Sequence, residues 1–393
     1  MLLPYDPDRL TELCSELDEW HRRLDYRGPV PRAWAGRLRR DLEAEAVAAS
    51  TRMEGVNVTL EEVRRILAGA STPEVEAEDR SLVEGYRSAM SFVLRQADDE
   101  AFLWHRALIA GLHDRVMAGR YDLGAGRLRT DAPVFIVNRL TGEQVFLPPP
   151  GQRIPRLVDM ACERMESGHA HPSVAAAWIH VAMAAIHPFK DGNGRSARIL
   201  ASLAMYRDGF KRPEFTSLEE WWGGHLDAYY GLFDSLGEEF AEDADSTTFI
   251  VGHIEAQLHQ VRALDLRLRT EQQIWIALES AAESAHLDLR VTNALWDAFF
   301  GRDVTAGYYR PLADVSAATA TNDLAAAVSS GLLRAVGQRR GRRYLAGERL
   351  FGEAARTLLI PSIGSYETAC DEIVAEVARR LLSDGGSPDT PRP

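Results

Sequence analysis

The sequence predicts a mainly α-helical protein with one β-hairpin set among its helices. Apolar residues recur at helical spacing through most of the first 270 positions. β-Branched and aromatic residues cluster in a single stretch, Val134-Phe135-Ile136-Val137 followed by Gln144-Val145-Phe146-Leu147. Caps and breakers fall between the helical patterns.

Taken in order, residues 9–24 read as a helix that Gly28, Pro29 and Pro31 terminate, and a second runs from about Arg32 to Met53. Thr59 before Leu60-Glu61-Glu62 is an N-cap signature for a short third helix. Helical patterns continue over 77–97 and 101–118. Between 121 and 150 the pattern changes: Gly124, Gly126, the two β-rich runs, a turn at Arg139-Leu140-Thr141-Gly142, and Pro148-Pro149-Pro150. Two long helices follow, 172–186 and 194–208, joined by a polar Gly-rich turn. Further helices are expected over 217–236 and 244–270. Beyond about 290 the elements shorten, predicting a small separate domain, and 383–393 has the composition of a disordered tail. No internal repeat is present. The expected organisation is an N-terminal region over 1–105, a core over 106–240, connecting helices over 241–290, a small domain over 291–347, helices over 348–382, and the tail.

The composition is that of a soluble globular protein: 393 residues, 46% hydrophobic and 26% charged. That excludes collagen-like, low-complexity and disulfide-scaffold classes. The net charge of −13 argues against a uniformly nucleic-acid-binding surface. Cys14, Cys162 and Cys370 are odd in number, far apart and in no metal-ligand spacing, so reduced thiols in a cytoplasmic protein are expected. The N-terminus lacks the basic and apolar regions of a signal peptide. The longest apolar stretch, Val174 to Ile186, is interrupted by His180 and is too short to span a bilayer, so no membrane partner is expected.

The segment Ile186-His187-Pro188-Phe189-Lys190-Asp191-Gly192-Asn193-Gly194-Arg195-Ser196-Ala197-Arg198 carries the chemistry. An apolar helix ends at a proline, and a Gly-Asn-Gly turn leads into the next helix. Gly192, Asn193 and Gly194 suit the dihedrals that converge successive N–H groups on an anion, and the following helix adds its positive end. Arg195 and Arg198 are three apart on one helix face, within reach of phosphates. Asp191 is a hard oxygen ligand suited to Mg²⁺, and His187 is placed to accept a proton from a hydroxyl. Together they suit phosphoryl or nucleotidyl transfer from a nucleoside triphosphate. Singly, each has a plain structural reading as a turn, a packed histidine or a solvated face.

This string resembles the signature of the Fic family, His-x-Phe-x-Asp/Glu-Gly-Asn-Gly-Arg-x-x-Arg, at all eight specified positions. The resemblance extends over about 5–240, including His171 to His180 ahead of the motif, Val134 to Pro150, and Leu226 to Leu232. It implies a Fic-type helical bundle with a β-hairpin flap. It also implies an enzyme that transfers AMP from ATP to a Ser, Thr or Tyr hydroxyl of a protein. In that reading His187 is the base, Asp191 holds Mg²⁺, and Gly192, Asn193 and Gly194 form the anion hole. Arg195 steadies the phosphates, Arg198 binds the γ-phosphate, and Phe189 anchors the loop. Val134, Phe135, Ile136 and Val137 position the target. Gly194 is intact where relatives that act as kinases carry Lys.

Ser50-Thr51-Arg52-Met53-Glu54-Gly55 also fits the family's inhibitory pattern, Ser/Thr-x-x-x-Glu-Gly/Asn; alone, it reads as a helix C-terminus. By resemblance Glu54 pairs with Arg198 and blocks productive ATP binding. Ser50 and Gly55 belong to the same motif. Glu54 supporting AMP removal, or another nucleotide donor, stays open. So does a nucleotide-sensing regulator. Residues 304–347, within about 291–347, resemble the winged helix-turn-helix often fused behind Fic domains. There Ser316 caps a helix bearing Thr319, Thr321 and Asn322, and Arg339, Arg340, Arg342 and Arg343 lie on the wing as candidate DNA contacts. Asp323 on that helix weakens base reading. A solvated hairpin or a protein-contact surface is an even alternative. Expected partners are ATP, an unidentified target protein, a candidate second copy forming a homodimer, and candidate DNA.

Overall fold

The structure is a computed structural model that describes residues 2–25, 32–69, 71–130, 134–137, 144–168, 170–210, 218–338 and 341–384. The chain divides into two compact units, 1–262 and 263–393.

In the first unit, helices α1 (Thr11–Asp25), α2 (Arg32–Met53), α3 (Leu60–Leu67), α4 (Ala77–Ala97) and α5 (Arg106–Val116) come first. The capping box read at Thr59 is present: Glu62 N–H donates to Thr59 Oγ1, and Thr59 N–H donates to Glu62 Oε2 at 2.8 Å. The helix expected over 101–118 is α5 and starts only at Arg106. His105 Nδ1 caps it by accepting from Leu108 N–H at 3.1 Å.

A two-stranded antiparallel hairpin follows, β1 (Ile136–Val137) with β2 (Gln144–Phe146), pairing Ile136 with Phe146. The turn expected at 139–142 lies outside the described residues. Helix α6 (Ile154–Ser167) was not expected. Its buried Ile154, Leu157, Val158, Ala161 and Cys162 have helical spacing, but the adjacent prolines obscure the pattern.

Helices α7 (Pro172–Ile186) and α8 (Asn193–Arg207) form the centre of this unit. α7 is apolar almost all round, the composition of a helix buried on every side. α4 and α5 pack on α8, and α6 on α7.

The single helix expected over 217–236 is a correction. It is two short helices, α9 (Leu218–Gly224) and α10 (Leu226–Gly231), followed by a 3₁₀ turn, Leu232–Leu236. Gly223, Gly224 and Gly231 lower helix propensity where each break falls. The helix expected over 244–270 is instead α11, Thr247–Ser284. No proline and, beyond Gly252, no glycine interrupts it. Tyr229 is buried, whereas Tyr230 beside it is 52% exposed.

The second unit contains α12 (Thr292–Phe299), α13 (Ala306–Ala313) and α14 (Ala317–Ser329). An antiparallel pair β3 (Leu333–Val336) and β4 (Arg343–Ala346) precedes α15 (Glu348–Thr357) and α16 (Ala369–Asp384). Leu333 pairs with Ala346 and Val336 with Arg343. Ser316 caps α14, accepting from Thr319 N–H at 3.1 Å. Asp323 does not face outward as a free acid. It accepts from Arg290 Nε at 2.7 Å and from Tyr309 Oη at 2.9 Å, tying α14 to its neighbours. Ser383 and Asp384, expected to open a disordered tail, are instead the last residues of α16, and 385–393 lie outside the described residues. Among the described residues, no helix is long and apolar enough to cross a membrane.

Candidate active site

The site forms where α7 stops and α8 starts. α7 ends on His187, whose backbone is left-handed at φ 49°, with its N–H donating to Met183 O at 3.0 Å. Glycine normally takes such a position, and a β-carbon there costs roughly 1–2 kcal/mol. The backbone of this histidine is therefore held by its surroundings.

Asn193 closes the loop that follows. Its Oδ1 accepts from Phe189 N–H and its Nδ2 donates to Phe189 O, both at 2.9 Å. That amide is thus engaged with the loop through its oxygen and one of its two Nδ2–H groups. Phe189 is buried, as expected of an anchor, and stacks on His113 with ring planes 1° apart. Gly192 sits at φ 70°, and an added β-carbon would lie 2.6 Å from Met117 Sδ. Both its dihedral and its crowding require glycine.

His113 supports the loop from below. Its Nδ1 accepts from Gly126 N–H at 3.0 Å, which leaves Nε2–H to donate to the Asp191 carbonyl at 2.9 Å. Burial lowers its pKa to about 4. Burial likewise lowers His187 to about 4, with Arg129 adding to the effect and the Ala184 carbonyl, Glu54 and Asp191 opposing it. His187 is therefore neutral near pH 7, the state a proton acceptor needs. The Asp191 side chain is half exposed at 50%, and its Oδ1 accepts from Gly192 N–H at 2.6 Å. A half-exposed carboxylate beside the Gly-Asn-Gly turn is the donor type that a hard divalent cation takes. Among the described residues no group of three or more His, Cys, Asp and Glu side chains could hold a metal by itself.

Above the first turn of α8 lies a carboxylate. Arg198 Nη2 donates to Glu54 Oε1 at 2.8 Å, and its Nε and Nη2 donate to Ser50 Oγ at 3.2 and 3.1 Å. A β-carbon on Gly194 would lie 2.6 Å from Glu54 Oε1. The carboxylate therefore sits directly over the helix N-terminus, where an anion is most favourably placed. Gly55, at φ 83°, ends α2 and turns the chain away just past Glu54. Burial opposes the Arg198 charge, but Glu54, Tyr229 and Glu219 outweigh it, and the guanidinium is held more firmly protonated than usual. Arg195 is buried beside Met117, with Asp191 Oδ1 3.9 Å away.

Residues 103–205, which contain every part of this loop, match the family model for the Fic/DOC family. They are a Fic/DOC domain.

Relatives of the domain include the protein adenylyltransferase fic-1 of Caenorhabditis elegans, 31% identical over 166 residues, covering 40% of this chain and 30% of that protein. The protein adenylyltransferase Fic of Nematostella vectensis is 26% identical over 203 residues, covering 51% of this chain and 45% of that one. The chain thus spans less than half the length of the curated relatives it matches first. Its fold is similar to that of a Fic family protein from Desulfovibrio desulfuricans G20, with a TM-score of 0.57 at 21% identity over 88% of this chain and 98% of that one. A Fic domain containing signaling protein from Bacteroides thetaiotaomicron VPI-5482 gives 0.51 at 21% identity, over 66% and 95%.

The Fic/DOC domain and α2 bring together His187, Asp191, Gly192, Asn193, Gly194, Arg195, Arg198, Ser50 and Glu54. Phe135 is 48% exposed, and among the described residues β1 pairs only with β2 and so keeps an open edge. In the second unit, Arg342 and Arg343 are exposed, Arg343 pairs with Asp303, and Arg339 and Arg340 lie outside the described residues. His180 is buried in the core, with Nε2 3.0 Å from Tyr229 Oη. Sequence reasoning missed His113 and Arg129. Nothing local separates buried Arg129 from Arg127 two residues earlier, which is exposed.

Proposed function

We propose that the chain is a Mg²⁺-dependent protein adenylyltransferase restrained by its own Glu54. The observation that carries this reading is the Glu54 carboxylate bound to Arg198 over the α8 N-terminus, beside a neutral His187. A carboxylate and a terminal phosphate compete for the same guanidinium, and the two cannot share it in one geometry.

In the active state Glu54 withdraws and Arg198 takes the γ-phosphate of ATP. The α-phosphate lies against the main-chain N–H groups at 192–194. Mg²⁺, held by Asp191 and the triphosphate, would supply charge neutralisation for the leaving pyrophosphate. His187 accepts the proton of a target Ser, Thr or Tyr hydroxyl. The hydroxyl oxygen bonds to the α-phosphorus as the bond to the bridging oxygen of the β-phosphate breaks. The open edge of β1 pairs with an extended segment of the target through main-chain hydrogen bonds. The adenylyltransferase names of the relatives support the donor, and the intact Gly194 supports AMP rather than phosphate transfer.

The test is covalent labelling with α-labelled ATP and Mg²⁺, with UTP, GTP and CDP-choline run alongside. Glu54→Gly is expected to raise self-labelling by about tenfold or more, equivalent to roughly 1.4 kcal/mol. His187→Ala in that background is expected to abolish it. No labelling from any donor by Glu54→Gly would refute the activity, and equal labelling by parent and variant would refute the restraint.

A further inference from the structure

Arg129 stands between the hairpin and the catalytic loop and is 8% exposed. Its contacts fall on three consecutive carbonyls of the α7 end. Nη2 donates to Ile186 O at 3.3 Å, Nε to His187 O at 2.7 Å, and its main-chain N–H to Pro188 O at 2.9 Å. The same Nη2 donates to Pro149 O at 2.6 Å, in the arm descending from β2. These hydrogen bonds all go to main-chain oxygens. Burial alone lowers the pKa of this guanidinium. Nη1 is buried and has no hydrogen-bond partner among the described residues. A buried cation is costly unless its hydrogen bonds are well satisfied. Here that cost is spent on a residue whose backbone is itself strained, His187 at φ 49°.

We propose that Arg129 is the positioning residue for His187. It clamps carbonyls 186–188 so that the imidazole is presented from a left-handed backbone, and it ties that backbone to the arm of the hairpin. This rests on the transfer reaction proposed above for its catalytic consequence, while the clamp itself is a statement about structure. The chemistry requires a planar fork. A lysine ammonium keeps the charge but cannot span carbonyls on two segments from one rigid plane. Target engagement at β1 is then felt at His187 through Pro149 and one side chain, which makes Arg129 matter for turnover more than for ATP binding.

Full-length Glu54→Gly is the parent for the test, compared with Glu54→Gly/Arg129→Lys and Glu54→Gly/Arg129→Gln. Three measurements are made: ATP affinity by calorimetry, transfer rate against pH, and amide hydrogen exchange. Both double variants are expected to bind ATP within about twofold of the parent while the transfer rate falls by about tenfold or more. Exchange is expected to accelerate at 186–190 and not in the interiors of α7 and α8.

In the Arg129→Gln variant, which removes the charge, the acid limb of the rate profile should also move upward, and in Arg129→Lys, which keeps it, the limb should stay near the parent's. Arg129 disfavours protonation of His187, Glu54 is already removed in the parent, and Asp191 remains as the carboxylate favouring the proton. Both double variants transferring at the parent's rate, with the acid limb of Arg129→Gln unmoved, would overturn the proposal. So would exchange that rises throughout the domain with loss of ATP binding, since Arg129 would then be a general packing residue. If the parent transfers nothing from any donor, the activity reading fails, and exchange confined to 186–190 still decides the clamp.

Discussion

His113 shows how much of the site rests on groups that never touch a substrate. Its imidazole is stacked on Phe189, accepts from Gly126 and donates to Asp191 O, an arrangement that requires the neutral ring. Protonation turns Nδ1 into a second donor facing an N–H. With the folded pKa near 4 and the unfolded value near 6.5, the unfolded chain binds the extra proton between those limits. The resulting stability is fully present above about pH 6.5 and is lost as pH falls toward 4. At 1.36 kcal/mol per unit this is on the order of 3 kcal/mol. Urea unfolding of His113→Gln is expected to show a shallower loss of stability from pH 7 to 4 than the unsubstituted chain. Parallel slopes would show that His113 does not titrate in this way. The cysteines have no comparable role. All three are free, and burial pushes Cys14 and Cys370 up to about 11 and Cys162 to about 12, away from thiolate reactivity.

At the level of elements, the restraint proposed for Glu54 depends on how α2 is docked. α9 packs against α2 and brings in Glu219, which accepts from Tyr86 Oη at 2.6 Å behind Arg198; burial raises the pKa of this carboxyl. The last turn of α2 and the turn that follows it place Ser50 and Glu54 four residues apart, and both side chains face Arg198. Removing Glu54 leaves a buried cation with one partner fewer, a loss of about 3 kcal/mol for a pair of this kind. Thermal unfolding of Glu54→Gly is therefore expected at lower temperature than that of the unsubstituted chain in the absence of nucleotide. Saturating ATP should recover the difference, since binding at a hundredfold above Kd contributes about 2.7 kcal/mol. A variant equally stable without ATP would mean that the pair contributes nothing net.

For the whole molecule, the −13 charge is an average over unlike surfaces. Arg342 and Arg343, beside and on β4, are the described part of the arginine cluster read as a candidate DNA contact, yet Arg343 is engaged with Asp303, and Asp323 is held by Arg290 and Tyr309. Of the face read for base contacts, Thr321 and Asn322 are exposed. A gel shift of the full chain on duplex DNA at about 50 mM salt, repeated at about 200 mM, tests this surface. Retention at the lower salt that is weakened by Arg342→Ala/Arg343→Ala is the outcome expected of a phosphate-binding wing. No retention at low salt assigns the surface to a protein partner or to solvent.

The motif from His187 to Arg198 and the pattern from Ser50 to Gly55 were legible in sequence because their chemistry depends on residue type at fixed spacing within one turn or one helix end. The long helices were legible for the same reason, since periodicity is local. The break between α9 and α10, the full reach of α11 and the existence of α6 were not, because propensity is a weak signal beside tertiary packing. Glu54 and Arg198 lie 144 residues apart and were linked by resemblance, but only the fold sets that carboxylate 2.8 Å from the guanidinium and over the α8 N-terminus. Arg129 and His113 could not be read at all. Their partners are main-chain oxygens and amides, which every residue carries, so the sequence has no letter for them. The sequence by itself determined which groups can do the chemistry. The tertiary structure decided which of them are held, neutral or blocked, because burial and main-chain contact exist only once the chain is folded.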